Sequence, residues 1–554
     1  MKADRLRAAP TECEPNDAEP TPPLRSECLQ SWPGVWCREM RSVCRDVSVF
    51  LVLWLMLSGA GRRGFLQDPG TFWHVATGER MLTTGSVLRT DPFGVASFGK
   101  PWIPMQWLAE LGMAWLYRLG KLDALVAFSA VLQAVLYAAL ARHLLRSGVG
   151  AALALALVAL ALAMSSHHFI ARPHLFTILF TALTQACLSS WEEGEARSQR
   201  HLFCLPVCIL LWTNLHGGAL GGVAMLSLTA LGVLLGARFG LKQARARRRD
   251  LAKLLAVCGM SCLVTLVNPF FTALPRTWLT LTSSRVLPLL IKEHRAPHFD
   301  SLGEVLFALT GVLYLALLAG VPRRAWRVTW FLPLAWFVLG TRSVRHLPLF
   351  AITAMIVLPQ LLAECGWFRR VASRSSLLAL TRRATEREPY LGLWLPALLV
   401  LVSSLTLEAS SVRLPVVGAG WAEPSRDVLP MDMLAALSRA ARARPEGSGI
   451  LNEMSQGGFL MLYEPRLRVF IDDRWEVHGD ATFMRYVRAS NRDPAELVAW
   501  ARQLHIDLAL APHDSLLFTF LSQAADWTLL MRGENTSLFE FRSGAAALQQ
   551  GAHD

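Results

Sequence analysis

The feature that most constrains this chain is its succession of apolar runs, each near the length of a bilayer crossing. They begin with Val47–Ala60 and continue through Leu122–Leu145, Ala151–Ser165, Phe169–Ser190, Leu202–Leu215 and Ala219–Ala237. Leu251–Val267, Leu302–Val321, Val328–Gly340, Leu347–Leu362 and Leu391–Leu407 complete the set. A hydrocarbon core takes about 20 mainly apolar residues per helix. Within it, only helices and closed barrels satisfy their own backbone. The pattern predicts a polytopic α-helical membrane protein of about 11 spans, several of them short. Val47–Ala60 leads into Arg62, Arg63 and Gly64 rather than a small-residue cleavage site, so it reads as an uncleaved first span. Met105–Leu119 is amphipathic and is expected to lie along the outer membrane surface.

Composition agrees. Of 554 residues, 53% are hydrophobic and 18% charged, against about a quarter charged in ordinary soluble domains. The net charge of +13 would suggest nucleic acid in a soluble protein. No zinc finger, RNA-recognition signature or basic-aromatic stripe accompanies it, and no nucleic-acid partner is expected. The basic residues instead gather in two short loops. One holds Arg238, Lys242, Arg245, Arg247, Arg248, Arg249 and Lys253, the other Arg369, Arg370, Arg374, Arg382, Arg383 and Arg387. Such loops face the cytoplasm. Counting spans from them places the N-terminus inside and the C-terminal tail outside the cytoplasmic (inner) membrane. The count needs two helices within Leu202–Ala237, which the break at Thr213, Asn214, Leu215, His216, Gly217 and Gly218 favours. The 10 cysteines form no CxxC pair, and none follows Cys365, so the tail is not disulfide-built.

Three regions follow. Residues 1–46 are polar, Pro- and Glu-rich, and expected to be a disordered cytoplasmic N-terminus. Residues 47–407 form the transmembrane domain, with a long first outer loop at 61–104. Residues 408–554 form an extracytoplasmic α/β domain of ordinary size. In that tail, Pro430–Ala443 and Pro494–Leu504 read as helices. Gly449–Asn452, Phe459–Leu462, Val469–Asp472, Leu508–Ala511, Thr528–Met531 and Leu538–Phe541 read as strands.

On this topology the ionisable residues gather at the outer rim. The first outer loop carries Asp68, His74, Glu79, Arg80 and Asp91. Later loops bring His167, His168, Arg172 and His174, then Asn214 and His216, then Asn268, Arg276, Glu293, His294, Arg295, His298 and Asp300, and last Arg342, Arg345 and His346. Ionisable groups at the hydrocarbon edge are costly unless paired or hydrated, and so mark sites. Arg172, Arg295, Arg342 and Arg345 stand on the side that basic residues avoid. Either an anion in the outer leaflet, phosphate above all, or headgroup snorkelling or pairing with Glu and Asp accounts for them. Asp68 reads equally as a reactive carboxylate or as a helix N-cap before Pro69. Asp472, Asp473 and Arg474 at a strand end read as an acceptor or metal site, or as a surface salt-bridge cluster. His167, His168 and His174 lack the spacing of a zinc helix. Trp73 and Trp102 are placed to stack on sugar faces.

The run Asp68, Pro69, Gly70, Thr71, Phe72, Trp73, His74, with Glu79, Arg80, Asp91, Trp102, Trp107 and Glu110 after it, resembles bacterial multi-span proteins related to the C-type (GT-C) membrane glycosyltransferases. Arg172-Pro173-His174, Trp212 through Gly218, Asn268-Pro269, Arg345-His346, Gly457-Gly458-Phe459 and Phe470 through Arg474 fit the same group. The resemblance runs from about Val47 to Ser543, nearly the whole chain, and is specific for the group more than for the chemistry. It implies a GT-C-like fold and transfer of a sugar from a polyprenyl-phosphate-linked donor to an extracytoplasmic acceptor, which is a glycan, lipid or protein. Asp68 matches the position of the catalytic carboxylate, as base or metal holder. The second acid that often follows closely is absent, since Pro69 and Gly70 stand there, leaving Glu79 or Asp91 as substitutes. Arg172, Arg342, Arg345 and His174 are the implied donor-phosphate set, with His74, Trp73, Asn214 and His216 shaping the pocket. A divalent metal stays open, its ligands unassigned, and no other cofactor is implied. The missing acid favours an alternative, a non-catalytic scaffold or carrier-lipid-binding protein of envelope assembly. A transporter fits less well, because no inverted repeat is visible.

Overall fold

Unbroken Leu, Ala and Val sequence satisfies its backbone internally as helix. The structure is a computed structural model that describes residues 32–194, 198–238, 241, 248–284, 286–375, 391–424, 426 and 429–542. It opens with α1 (Trp32–Gly64), a short α2 (Pro69–Thr84), a long α3 (Trp107–Arg146), α4 (Ala151–Ser165) and α5 (His174–Glu193). Apolar helices follow at Leu205–Leu215, Ala219–Arg238, Leu251–Val264, Leu302–Ala319, Leu332–Gly340, Leu347–Glu364 and Leu391–Ala409.

The expected eleven crossings are not all full-length. Among the described residues six helices are long and apolar enough to cross a bilayer: Ser42–Gly64, Trp107–Arg146, Ala151–His168, Ala219–Gly236, Leu302–Ala319 and Val344–Glu364. Arg200–Leu215, Val328–Gly340 and Leu393–Ala409 are apolar but shorter. The helix at the N-terminus reaches back to Trp32, into the tract expected to be disordered. Residues 1–31 and most of both arginine-rich loops lie outside the described residues. The amphipathic stretch 107–119 is the first arm of α3, broken from the apolar arm where Gly120 (φ −152°) and Lys121 (φ 53°) leave helical geometry. A Cβ on Gly120 would stand 2.6 Å from Glu408 Cβ, so only glycine lets the last apolar helix pass there.

Outward faces stay apolar. Val305, Leu309, Val312 and Leu313 are exposed on Leu302–Ala319, as are Leu395, Leu398, Leu399 and Val402 on Leu391–Ala409. Stripes of that kind fit hydrocarbon and not water.

The tail is a mixed five-stranded sheet with helices. Its strands are β1 (Gly449–Leu451), β2 (Arg468–Val469), β3 (Leu508–Pro512), β4 (Trp527–Arg532) and β5 (Thr536–Phe541), in the order β2-β1-β3-β5-β4. β1 runs parallel to β2 and β3, while β5 is antiparallel to β3 and β4. Phe459–Leu462, expected as a strand, lies instead in the helix Gly457–Tyr463. A four-residue apolar run does not distinguish the two, and here Phe459 and Leu460 pack as a helix face in the shared core.

The connection between α2 and α3 and the tail interlock. Val95 N donates to Val469 O at 2.9 Å and Val469 N to Phe93 O at 3.0 Å, so the loop covers the open edge of the sheet at β2. Gly458 meets α2 so closely that a Cβ there would stand 2.2 Å from Pro69 O. One apolar core runs from Phe72 and Trp73 of α2 into Phe459, Val469 and Leu508 of the tail.

Candidate functional site

Asp68 ends the connection after α1 and starts α2. Its backbone is extended (φ −97°, ψ 126°), Pro69 takes the first helical position, and Oδ1 accepts from Gly70 N at 2.7 Å. The N-cap role is real. It also aims the second oxygen outward, where Arg172 Nη1 donates to Oδ2 at 3.2 Å. Gly70 makes this approach possible, since a Cβ there would lie 2.7 Å from Arg172 Cζ. The Arg172 loop is held by Ala171 N donating to Phe65 O at 2.9 Å.

From Arg172 the network continues. Its Nη1 is 3.5 Å from Glu293 Oε2. Beside Glu293, His294 Nε2 accepts from Arg345 Nη1 at 2.9 Å, which makes that imidazole neutral. Ser343 Oγ donates to Glu293 O at 3.0 Å, and Val344 N to Arg295 O at 2.9 Å, tying the last two loops together. Four loops far apart in sequence thus meet in one charged chain: Asp68, Arg172, Glu293, His294, Arg345. Arg345 makes no ion pair with a carboxylate among the described residues. Its charge is balanced only through space, and Arg342 nearby in the chain is exposed.

Burial pushes the Asp68 carboxyl up, Arg172 pulls it back, and Glu293 adds to the rise. Glu293 goes the other way. Burial would raise it, but Arg172 and Arg345 together hold it well below the usual carboxylate range. The imidazoles stay neutral: burial and then Arg345 lower both His216 and His294 to about 3. Burial and then Arg172 lower His74 well below its ordinary value.

The other expected residues divide. His74 Nδ1 bonds Glu110 Oε1 at 2.9 Å, fully buried, and Trp73 packs on the His74 ring at 3.6 Å between centroids. His174 Nε2 donates to His168 O at 2.9 Å. His216 Nδ1 accepts from Gly218 N at 3.0 Å and lies 2.7 Å from Thr177 Oγ1, which shapes the turn after Leu215. Asn214 Oδ1 accepts from Trp107 Nε1 at 2.9 Å and lines a cleft with Trp107, Leu210, Val267 and Pro269.

Two of the expected carboxylates are elsewhere. Glu79 pairs with Arg118 at 2.9 Å, about 16 Å along α2 from Asp68 at 1.5 Å per residue. Asp91 is fully buried and spends its oxygens on Phe93 N, Gly94 N, Ser97 Oγ and Arg474. Of the Asp472–Arg474 cluster, read as an acceptor or metal site or as surface salt bridges, Asp472 and Arg474 are buried and Asp473 is half-buried. Arg474 Nε donates to Asp472 Oδ1 at 2.8 Å, and neither side chain is exposed. Glu293 and His294 stood in the sequence as loop residues without a role, and only the ion pairs single them out. Among the described residues no group of three or more His, Cys, Asp or Glu is arranged to hold a metal ion. The residues present therefore do not fit the divalent metal left open by the resemblance.

No protein-family profile matches this chain, and no curated protein matches it. Solved structures do. The chain is similar to the apo oligosaccharyltransferase of Archaeoglobus fulgidus, at 12% identity and a TM-score of 0.49, over 86% of this chain and 69% of that one. It is similar to ArnT from Cupriavidus metallidurans bound to undecaprenyl phosphate, at 16% identity and a TM-score of 0.47, over 90% of this chain and 97% of that one. A third is the archaeal oligosaccharyltransferase AglB from Archaeoglobus fulgidus with an inhibitory peptide and a dolichol-phosphate, at 11% identity and a TM-score of 0.46, over 84% of this chain and 69% of that one. Likeness at this level carries no argument about chemistry, which lives in the site.

Proposed function

We propose that this chain is an integral-membrane glycosyltransferase of the cytoplasmic (inner) membrane. It moves a sugar from a polyprenyl-phosphate-linked donor to a glycan, lipid or protein outside, with its C-terminal domain on that side. The observation that carries the reading is the meeting of Asp68, Arg172, Glu293, His294 and Arg345 from four separate loops. Glycosyl transfer needs a carboxylate beside the acceptor hydroxyl and cations where charge develops on the departing phosphate. Asp68 supplies the first. Arg345, unpaired with any carboxylate among the described residues, and the exposed Arg342 supply the second, while Arg172 holds Asp68 in place. The buried His74–Glu110 pair and Trp73 stiffen α2 behind the site.

The test is Asp68→Asn in membranes holding normal amounts of protein, assayed for labelled sugar transferred from polyprenyl-phosphate sugars. Transfer should fall at least about a hundredfold; full retention would sink the mechanism. A second reading, a non-catalytic binder of carrier lipid, has one observation in its favour: both Asp68 oxygens are already engaged, by Gly70 and by Arg172. Sugar incorporation that depends on the purified chain eliminates it.

A further inference from the structure

The carboxylates described so far are already engaged by a cation or a backbone amide. Asp68 gives Oδ1 to Gly70 and Oδ2 to Arg172, and Glu293 lies against Arg172. The tail supplies one with an oxygen still open. Asp473 Oδ1 is shielded from solvent and accepts no hydrogen bond among the described residues.

Three constraints deliver Asp473 to this position. Gly458 lies against Pro69 O with no room for a Cβ, which docks the helix Gly457–Tyr463 on the first turn of α2, next to Asp68. Gly457 lies equally close to Asp472, with a Cβ position 2.6 Å from Asp472 Cβ and from Ile471 O, so the Asp472–Asp473 strand end moves with that helix. Arg474 then clamps the segment from the far side, bonding Asp472 at 2.8 Å and Asp91 of the connection between α2 and α3 at 2.9 Å. Asp472 is consumed by Arg474 and His478. Asp473, between these anchors, is left over.

We propose that Asp68 and Asp473 act as one carboxylate pair, its second member supplied by the C-terminal domain: Asp68 orients the acceptor hydroxyl and Asp473 Oδ1 finally holds its proton. This rests on the glycosyltransferase reading above. In the step, the acceptor oxygen bonds to the anomeric carbon and the bond from that carbon to the phosphate oxygen breaks. The phosphate leaves with the electron pair toward Arg345, and the hydroxyl proton passes to Asp473. Arg172 and Asp68 from the helical part and Asp472 on its own segment act on the Asp473 charge, with Glu293 beyond Arg172 and Arg474 next in the chain. Burial, with the Asp68 and Asp472 charges, outweighs Arg172 and pushes the Asp473 carboxyl up to about 7. A base works best near that value at neutral pH. The pair also replaces the second acid that the residues after Asp68 do not provide.

The experiment uses the full-length chain in lipid nanodiscs with undecaprenyl phosphate as probe, binding being measured at pH 6 and pH 8. Above neutrality the Asp473 charge repels the probe. Asp473→Asn should therefore bind about tenfold more tightly than the parent at pH 8 and equally at pH 6. In membranes the same variant should lose at least about a hundredfold in sugar transfer, while Asp473→Glu keeps part of it with a displaced pH optimum. Should Asp473→Asn fail to fold by size-exclusion chromatography, Asp473→Glu decides. An unchanged pH profile in that variant overturns the proposal. So does Asp473→Asn with the parent's binding profile and full transfer. A parent that binds no undecaprenyl phosphate at either pH rejects the glycosyltransferase reading itself, a result distinct from either of these.

Discussion

Arg474 and Asp91, 383 positions apart, form an ion pair at 2.9 Å with neither side chain reaching solvent. The pair joins the tail to the connection between α2 and α3 just where β2 takes that segment as an added edge. Removing one partner leaves the other charged and buried, at a cost of about 3–5 kcal/mol. Asp91→Asn and Arg474→Met should each lower the thermal unfolding midpoint in detergent and expose the tail to protease. Sheet and helices unfolding at the parent's temperature in either variant would show that the clamp does not hold them together.

Arg345 donates to a neutral imidazole where Arg172 is tied to two carboxylates, so the two guanidiniums should behave differently. Arg345→Ala should weaken undecaprenyl phosphate binding about 10- to 100-fold, and Arg345→Lys less, since a point charge replaces a fork. Arg118→Ala, which removes the ion pair to the distant Glu79, should leave binding unchanged. Equal losses for Arg118 and Arg345 in a lipid-binding titration would remove Arg345 from the site.

Acid should loosen this protein before it protonates ordinary carboxylates. His216 and His294 are lowered from 6.5 to about 3 in the folded chain. Between those values the unfolded chain binds protons that the folded one does not, so stability falls as pH drops below about 6.5. Glu293, held low by its arginines against the pull of burial, adds a loss once pH falls below about 4.5. Unfolding midpoints measured from pH 8 to pH 4 should decline in that order. His294→Gln should flatten the upper part of the slope, and an unaltered slope would count against the buried neutral ring.

Gly458 and Gly59 offer a paired control. A Cβ on Gly458 meets Pro69 O at 2.2 Å, whereas nothing lies within 4 Å of one on Gly59. Gly458→Ala should destabilise the docked tail by about 1–3 kcal/mol and reduce transfer with it. Gly59→Ala, inside α1, should be neutral or slightly stabilising. Differential scanning fluorimetry on both variants reads the contrast directly.

Part of the site was legible before any coordinates. Asp68 before Pro69 announces a helix start, and that start is what presents its carboxylate to Arg172. Arg172 and Arg345 were among four arginines, with Arg295 and Arg342, expected on the side of the membrane that basic residues avoid. The substitutes proposed for a second acid went astray because a loop carboxylate carries no local sign of its partner. Glu79 met Arg118, and Asp91 met Arg474. Asp473 stood in the sequence within a cluster read as an acceptor or metal site or as surface salt bridges, and its neighbours in space come from the other end of the chain.

Periodicity, run length and the placing of Gly and Pro act over a few residues, so the amino-acid order alone determined the apolar helices in outline and three of the tail's five strands to within a residue, and offered the cap at Asp68 as one of two readings. Which acids are neutralised and which keep an idle oxygen was decided only when loops and tail docked. Coulomb interaction and desolvation depend on distance through space, and a linear order of residues does not contain that distance.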